Sequence, residues 1–247
     1  MKFQFHNPHP IRWPYRRLKN TAELFIEKAK TYGKVGDDGK LLTCLNWASR
    51  LAPTNLDYLW VIANFWYHQD LDANAVPALS RIIKLAILSE DLEKAYNRRA
   101  YSYELLGQHM DSLTDMDWLI NNGFGDAFRF ERRGECRLKM GDFQGAIDDF
   151  SEVIRLYPKD ETTLWRRAEA YTLAQRFTEA LQDLTTYYEQ FGLGYQKEWL
   201  YVMRGRVYYH LGRHEEALAD FRKVTGVSRP LDTARDYMKK FFRQDVG

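Results

Sequence analysis

Three stretches of this sequence carry two adjacent arginines: NRRAYSYELLG at 97–107, ERRGECRLKMG at 131–141 and WRRAEAYTLAQ at 165–175. Each doublet follows the last by 34 residues. A guanidinium keeps its charge at any accessible pH and presents a planar fork that holds a carboxylate through two parallel hydrogen bonds. The chemistry open to these residues is therefore anion recognition, of a ligand or of the chain's own acids.

Other chemistry-bearing residues are sparse. Asp115 with Asp117, Asp148 with Asp149, and Glu215 with Glu216 could serve acid–base catalysis or a divalent cation, but they recur at equivalent spacings, which points to a structural cause. His210 and His214 are four apart, a metal-ligand spacing on an unbroken helix, and Gly212 between them is expected to end that helix. His6 and His9 flank prolines, while Cys44 and Cys136 sit in helical contexts as core thiols. No phosphate loop, dinucleotide fingerprint, zincin motif, nucleophile elbow or EF-hand loop occurs. The expectation is a non-enzyme with no catalytic residue, metal or cofactor.

The elements that must position the arginines follow from composition and periodicity. The 247 residues are 45% hydrophobic and 15% aromatic, ample core material, and 36 basic residues nearly balance 34 acidic ones. That balance argues against nucleic acid as partner. Two distant cysteines suit a reducing compartment. Neither a signal-peptide core nor an 18-residue apolar run is present, so a cytoplasmic, non-membrane protein is expected.

A 34-residue period organises the chain. In AFRFERRGECRLKMGDFQGAIDDFSEVIRLYPKD, residues 127–160, a small residue stands at repeat position 8 (Gly134), a turn glycine at 15 (Gly141), alanine at 20 (Ala146), an aromatic at 24 (Phe150) and proline at 32 (Pro158). Position 8 runs Ala29, Ala63, Ala100, Gly134, Ala168, Gly205, and position 20 runs Leu41, Ala75, Ser112, Ala146, Ala180, Ala217. Both series step by 34, 37, 34, 34 and 37 residues. Small residues at both positions let two helices of a hairpin approach closely, and each hairpin buries its faces by stacking on its neighbours.

These residues resemble the tetratricopeptide repeat, a 34-residue helix–turn–helix unit. The resemblance implies an all-α, right-handed superhelical solenoid of six repeats at 22–55, 56–89, 93–126, 127–160, 161–194 and 198–231. The first repeat fits the pattern least, with Leu41 in place of the small residue, and the second and fifth have Asp70 and Gln175 where the turn glycine stands elsewhere. Residues 1–21, rich in proline and aromatics, read as an extended arm. Residues 232–247 read as a capping helix with Asp232 as N-cap and Ala234, Tyr237, Met238, Phe241 and Phe242 on its apolar face.

The repeat register separates the two members of each doublet. Position 7 carries Lys28, Ile62, Arg99, Arg133, Arg167 and Arg204, while position 23 carries Cys44, Ala78, Asp115, Asp149, Asp183 and Asp220. Arginine and aspartate change together, so four structural ion pairs are expected: Arg99–Asp115, Arg133–Asp149, Arg167–Asp183 and Arg204–Asp220. The first arginine, at position 6, has no such series. The resemblance implies that positions 2, 5, 6, 9, 12 and 13 line a concave groove. Arg98, Arg132 and Arg166 would then form a cationic ladder, joined by Lys94, Trp60, Asn64, Tyr67, Tyr101, Phe128, Trp165, Trp199, Arg206 and Tyr209. Arginine mixed with aromatics is the composition of protein-binding hot spots. The alternative is that Glu135 and Glu169, three residues on from Arg132 and Arg166, neutralise those two. Of the five residues with which the family's chaperone cofactors clamp a C-terminal carboxylate, only Lys94 and Arg98 match in the first three repeats, so that clamp is not expected.

The expected function is protein or peptide binding in the groove, as an adaptor, scaffold or chaperone-like protein. Alternatives are an inhibitor or immunity-type protein capping a partner enzyme or toxin, a self-associating scaffold whose N-terminal arm fills the groove, and RNA binding by stacked repeats.

Overall fold

The computed structural model describes residues 15–68, 72–192, 197–224 and 229–242. The chain divides into two compact units, Met1–Gln108 and His109–Gly247. The boundary falls at the turn inside the third expected repeat.

The first unit contains α1 (Tyr15–Lys34), α2 (Asp38–Leu51), α3 (Leu56–His68), α4 (Asp72–Leu85) and α5 (Ser89–Leu105). Its core joins Ala22, Ile26 and Ala29 to Leu41, Leu45 and Ala48, and continues through Leu59, Ala63, Ala75, Leu79 and Ile82 to Ala95. The apolar residues recur at three- and four-residue spacing, so each helix turns one stripe inward. The three residues inserted before the third repeat lengthen α5 at its N-terminus.

The second unit contains α6 (His109–Leu119), α7 (Ala127–Met140), α8 (Phe143–Leu156), α9 (Glu161–Leu173), α10 (Phe177–Phe191), α11 (Lys197–His210), α12 (His214–Phe221) and α13 (Arg229–Tyr237), with wider turns at Ile120–Phe124 and Met238–Phe242. Local chemistry starts these helices. The side chains of Asp126, Asp142 and Asp160 accept hydrogen bonds from the backbone N–H of Arg129, Gly145 and Thr163 at 2.9, 3.0 and 2.9 Å, as N-caps do. Hairpin turns need a left-handed residue: Gly141 (φ 81°) and Gly212 (φ 74°) supply it without strain, and Gln175 adopts φ 59° at the matching place.

Position 8 is set against position 24 of the same repeat. A Cβ on Gly134 would lie 2.8 Å from Cε1 of Phe150, and one on Gly205 would lie 2.7 Å from Cε1 of Phe221. The repeats with alanine at position 8 carry Leu45, Leu79, Met116 and Leu184 at position 24 instead. Glycine therefore appears where the opposing side chain is a ring, and alanine where it is leucine or methionine, a trade of volume across the pair.

Two sequence expectations change at the ends. Helix α1 begins at Tyr15, so residues 15–21 are not an extended arm; Pro14 is the last proline of that stretch, and nothing between it and Thr21 breaks a helix. Residues 1–14 lie outside the described residues. The last helix begins at Arg229, with Asp232 inside it and not at its N-cap, because Pro230 is accommodated in a first helical turn. Ala234 and Met238 are buried with Val202, Phe221 and Val224 and cover the end of the last hairpin. The side chains of Phe241 and Phe242 lie outside the described residues, as does Asp70.

Candidate functional site: a cleft between α9 and α11

The second arginine of each doublet is built into the scaffold. Arg167 grips Asp183 with Nε to Oδ2 at 2.7 Å and Nη2 to Oδ1 at 2.7 Å. Arg204 holds Asp220 in the same way, at 2.6 and 3.0 Å. Arg133 reaches Asp149 through Nε (3.0 Å) and Nη2 (2.6 Å), and Arg137 adds an Nη1 bond to Asp149 at 2.8 Å. Burial works against the charge on Arg167, but Asp183 outweighs it and holds the guanidinium above its ordinary range. Arg99 belongs to the first unit and Asp115 to the second.

A feature missed from sequence is where the remaining nitrogen goes. Nη1 of Arg99, Arg133 and Arg167 donates to Ser80 Oγ (2.9 Å), Asp117 Oδ1 (2.7 Å) and Ser151 Oγ (3.1 Å). All three acceptors occupy position 25 of the preceding repeat. Each arginine thus ties helix B of the repeat before it. The signal was a polar residue at position 25, weak because Ser and Asp differ in type.

The first arginines are not equivalent, and no ladder of like groups results. In the first unit, Arg98 donates to Asn64 Oδ1 and lies over the rings of Trp60 (5.4 Å) and Tyr67 (5.6 Å). Tyr101 tilts onto Tyr67 at 6.0 Å, and Lys94 pairs with Glu90 at the surface. In the second unit, Arg132 lies 5.3 Å over Phe128 and is only 8% exposed, which removes it as an open, ligand-facing group. Its stem and head are buried, whereas Phe128 itself is largely exposed. Arg166 stands between Glu169 and Glu135, 3.4 Å from each, so its charge is met inside the chain.

Trp165, Arg166 and Glu169 of α9 face Trp199 and Arg206 of α11 across a cleft of about 380 Å³. Val202 and Met203 form its floor. A smaller depression of about 160 Å³ adjoins it, sharing Trp165 and Arg166 and bounded by Glu161 and Tyr187. Trp165 is steadied by an edge contact with Tyr187 at 5.6 Å, while Trp199 is 41% exposed. Arg206 lies 5.6 Å over the Tyr237 ring. Val202 and Met203 were not among the expected groove residues because their aliphatic types read as core. Position 5 of one repeat is tryptophan and of the next valine, so only the register marks them.

The histidines make ring contacts. His210 stacks on Phe177 at 4.6 Å with a 4° interplanar angle, and Tyr209 packs against His210 and His214. Among the described residues no group of three histidine, cysteine or acidic side chains could hold a metal ion. Both cysteines are buried and free.

Models of the tetratricopeptide repeat match residues 132–193 and 200–230, the stretch that holds the forks and the cleft. These stretches are tetratricopeptide repeats. It is 24% identical over 169 residues to Tetratricopeptide repeat protein 37 of Xenopus laevis, a match spanning 65% of this chain and 10% of that protein. Its fold is similar to that of a tetratricopeptide repeat protein from Parabacteroides merdae, with TM-score 0.57 at 19% identity over 91% of this chain and 88% of that one. It is also similar to YrrB, a TPR protein with an unusual peptide-binding site, with TM-score 0.61 at 14% identity over 81% of this chain and 96% of that one. The all-α repeat architecture is thus shared with solved tetratricopeptide-repeat structures. No described helix is long and apolar enough to cross a membrane.

Proposed function

We propose that this tetratricopeptide-repeat protein is a non-catalytic scaffold that binds an extended segment of another protein in the cleft between α9 and α11. The observation that carries this is the cleft's composition: two tryptophans and two arginines above an aliphatic floor, all at repeat positions 2, 5, 6 and 9. Buried tryptophan and arginine dominate the energetics of protein interfaces. The likeness of fold to YrrB, which has a peptide-binding site, supports the same reading.

The test pans the full chain against a displayed library of random dodecapeptides and measures the enriched peptides by fluorescence anisotropy against wild type and Trp199→Ala. Trp199 is 41% exposed, so its truncation leaves the fold intact. Removing a hot-spot tryptophan costs about 2 kcal/mol or more, a loss of at least roughly thirtyfold in affinity. Equal affinity for the folded variant would refute the cleft as the binding site.

A further inference from the structure

We infer that Arg206 is the cleft's anion-binding group and that the bound segment carries an internal aspartate or glutamate about three residues from a bulky apolar side chain. The inference rests on the peptide-binding reading and adds the chemistry of the ligand. The cleft's two arginines have different electrostatic surroundings. Arg166 is met by two carboxylates, Glu135 and Glu169. Among the described residues no carboxylate pairs with Arg206, and its Nε is shut off from solvent without an acceptor. Its contact is the face of Tyr237, which leaves the donor edge of the guanidinium unanswered. The charge is felt locally: burial first, and then Arg206, hold the His210 imidazole below its ordinary range. The Nε is as closed to a ligand as it is to water, so a carboxylate in the cleft would be taken end-on by the two Nη groups, through two parallel bonds.

Geometry fixes the spacing. Trp199 and Arg206 are seven residues apart on α11, about 10.5 Å at 1.5 Å per residue. An extended chain covers that distance in about three residues. The apolar residue of the ligand packs on Trp199 and Met203 while the carboxylate three residues away meets Arg206. The acid is an internal side chain and not a chain end, because a second depression adjoins the cleft at Trp165 and Arg166 and gives the segment room to run on. A segment lying there passes through.

The experiment uses the full chain and two dodecapeptide libraries, one with both ends embedded in carrier protein and one with free C-termini. Each is panned on wild type and on Arg206→Gln, which retains a polar group; the variant's melting curve checks its fold. The expected result is enrichment of an acid two to four residues from an aromatic or large aliphatic residue in the embedded library. The enriched peptides bind Arg206→Gln about tenfold more weakly, the loss expected for a charge-assisted hydrogen bond, and Arg206→Lys recovers part of it. Enriched peptides without acids, or acidic peptides that bind Arg206→Gln equally well, overturn the inference while leaving the groove reading intact if Trp199→Ala still weakens them. Acid preference confined to free C-termini also overturns it, in favour of a terminal carboxylate. Failure of both libraries to yield binders removes the groove reading and the inference together.

Discussion

Arg167 and Asp183 offer the cleanest measurement of what the repeated fork contributes. Asp183 is 7% exposed, and Arg167 is its sole partner among the described residues, with two bonds of 2.7 Å. Replacing Arg167 with methionine keeps the stem's packing and strands the carboxylate. Breaking a buried pair from one side costs about 3–5 kcal/mol, and the 19% exposure of Arg167 admits some water and moves the figure to about 3 kcal/mol. Asp183→Leu costs less, about 2 kcal/mol, because Arg167 keeps Ser151 Oγ and the Tyr171 ring at 5.7 Å. The double variant Arg167→Met/Asp183→Leu removes both charges and should lose only about 1–2 kcal/mol in all, leaving a coupling of about 3 kcal/mol. Urea unfolding followed by far-UV circular dichroism reads this directly: with a slope near 2 kcal/mol per molar, Arg167→Met lowers the midpoint by about 1.5 M. Single-variant losses that add in the double variant to within about 0.5 kcal/mol would refute the fork as a coupled unit. The equivalent cycle at Arg133 and Asp149 is contaminated, since Arg137 and Asp117 share the same network.

Two further outcomes follow from the packing. Gly205→Ala should destabilise by about 1 kcal/mol, since overpacking against Phe221 at about 1–3 kcal/mol exceeds the helix gain of about 1 kcal/mol. In a Phe221→Leu background the same change should stabilise, and a loss in both backgrounds by thermal melting would sink the volume trade. Burial, with the bond it donates to Glu161 at 2.5 Å, holds the Tyr187 hydroxyl well above the usual phenol range. The folded chain therefore keeps a proton that the unfolded chain releases near pH 10, so this contribution is intact below about pH 10 and is lost as pH rises further. Tyr187→Phe should flatten the fall in melting temperature between pH 9 and 11, and an unchanged slope would exclude Tyr187 as its source.

The repeat period, the helix hairpins and the pairing of positions 7 and 23 were legible in the sequence. All three rest on chemistry that acts at fixed spacing along one chain, and a 34-residue recurrence exposes each of them. The ends were less legible: Tyr15–Thr21 are helical despite the neighbouring prolines, and Pro230 sits within the first turn of α13. Proline's effect depends on which side of a helix start it falls, and composition does not carry that.

What only the tertiary structure decided is which charges remain available. Arg98, Arg132, Arg166 and Arg206 carry the same side chain in the same kind of helix. Most of their neighbours come from other helices: Asn64 and two rings around Arg98, burial of Arg132, one glutamate from α7 and one from its own helix on Arg166, and at Arg206 a ring and, among the described residues, no acid. A guanidinium's readiness to take a ligand is set by the carboxylates and the water within a few ångströms of it. In this chain those groups are contributed mostly across the helix pairs and not along the helix that bears the arginine.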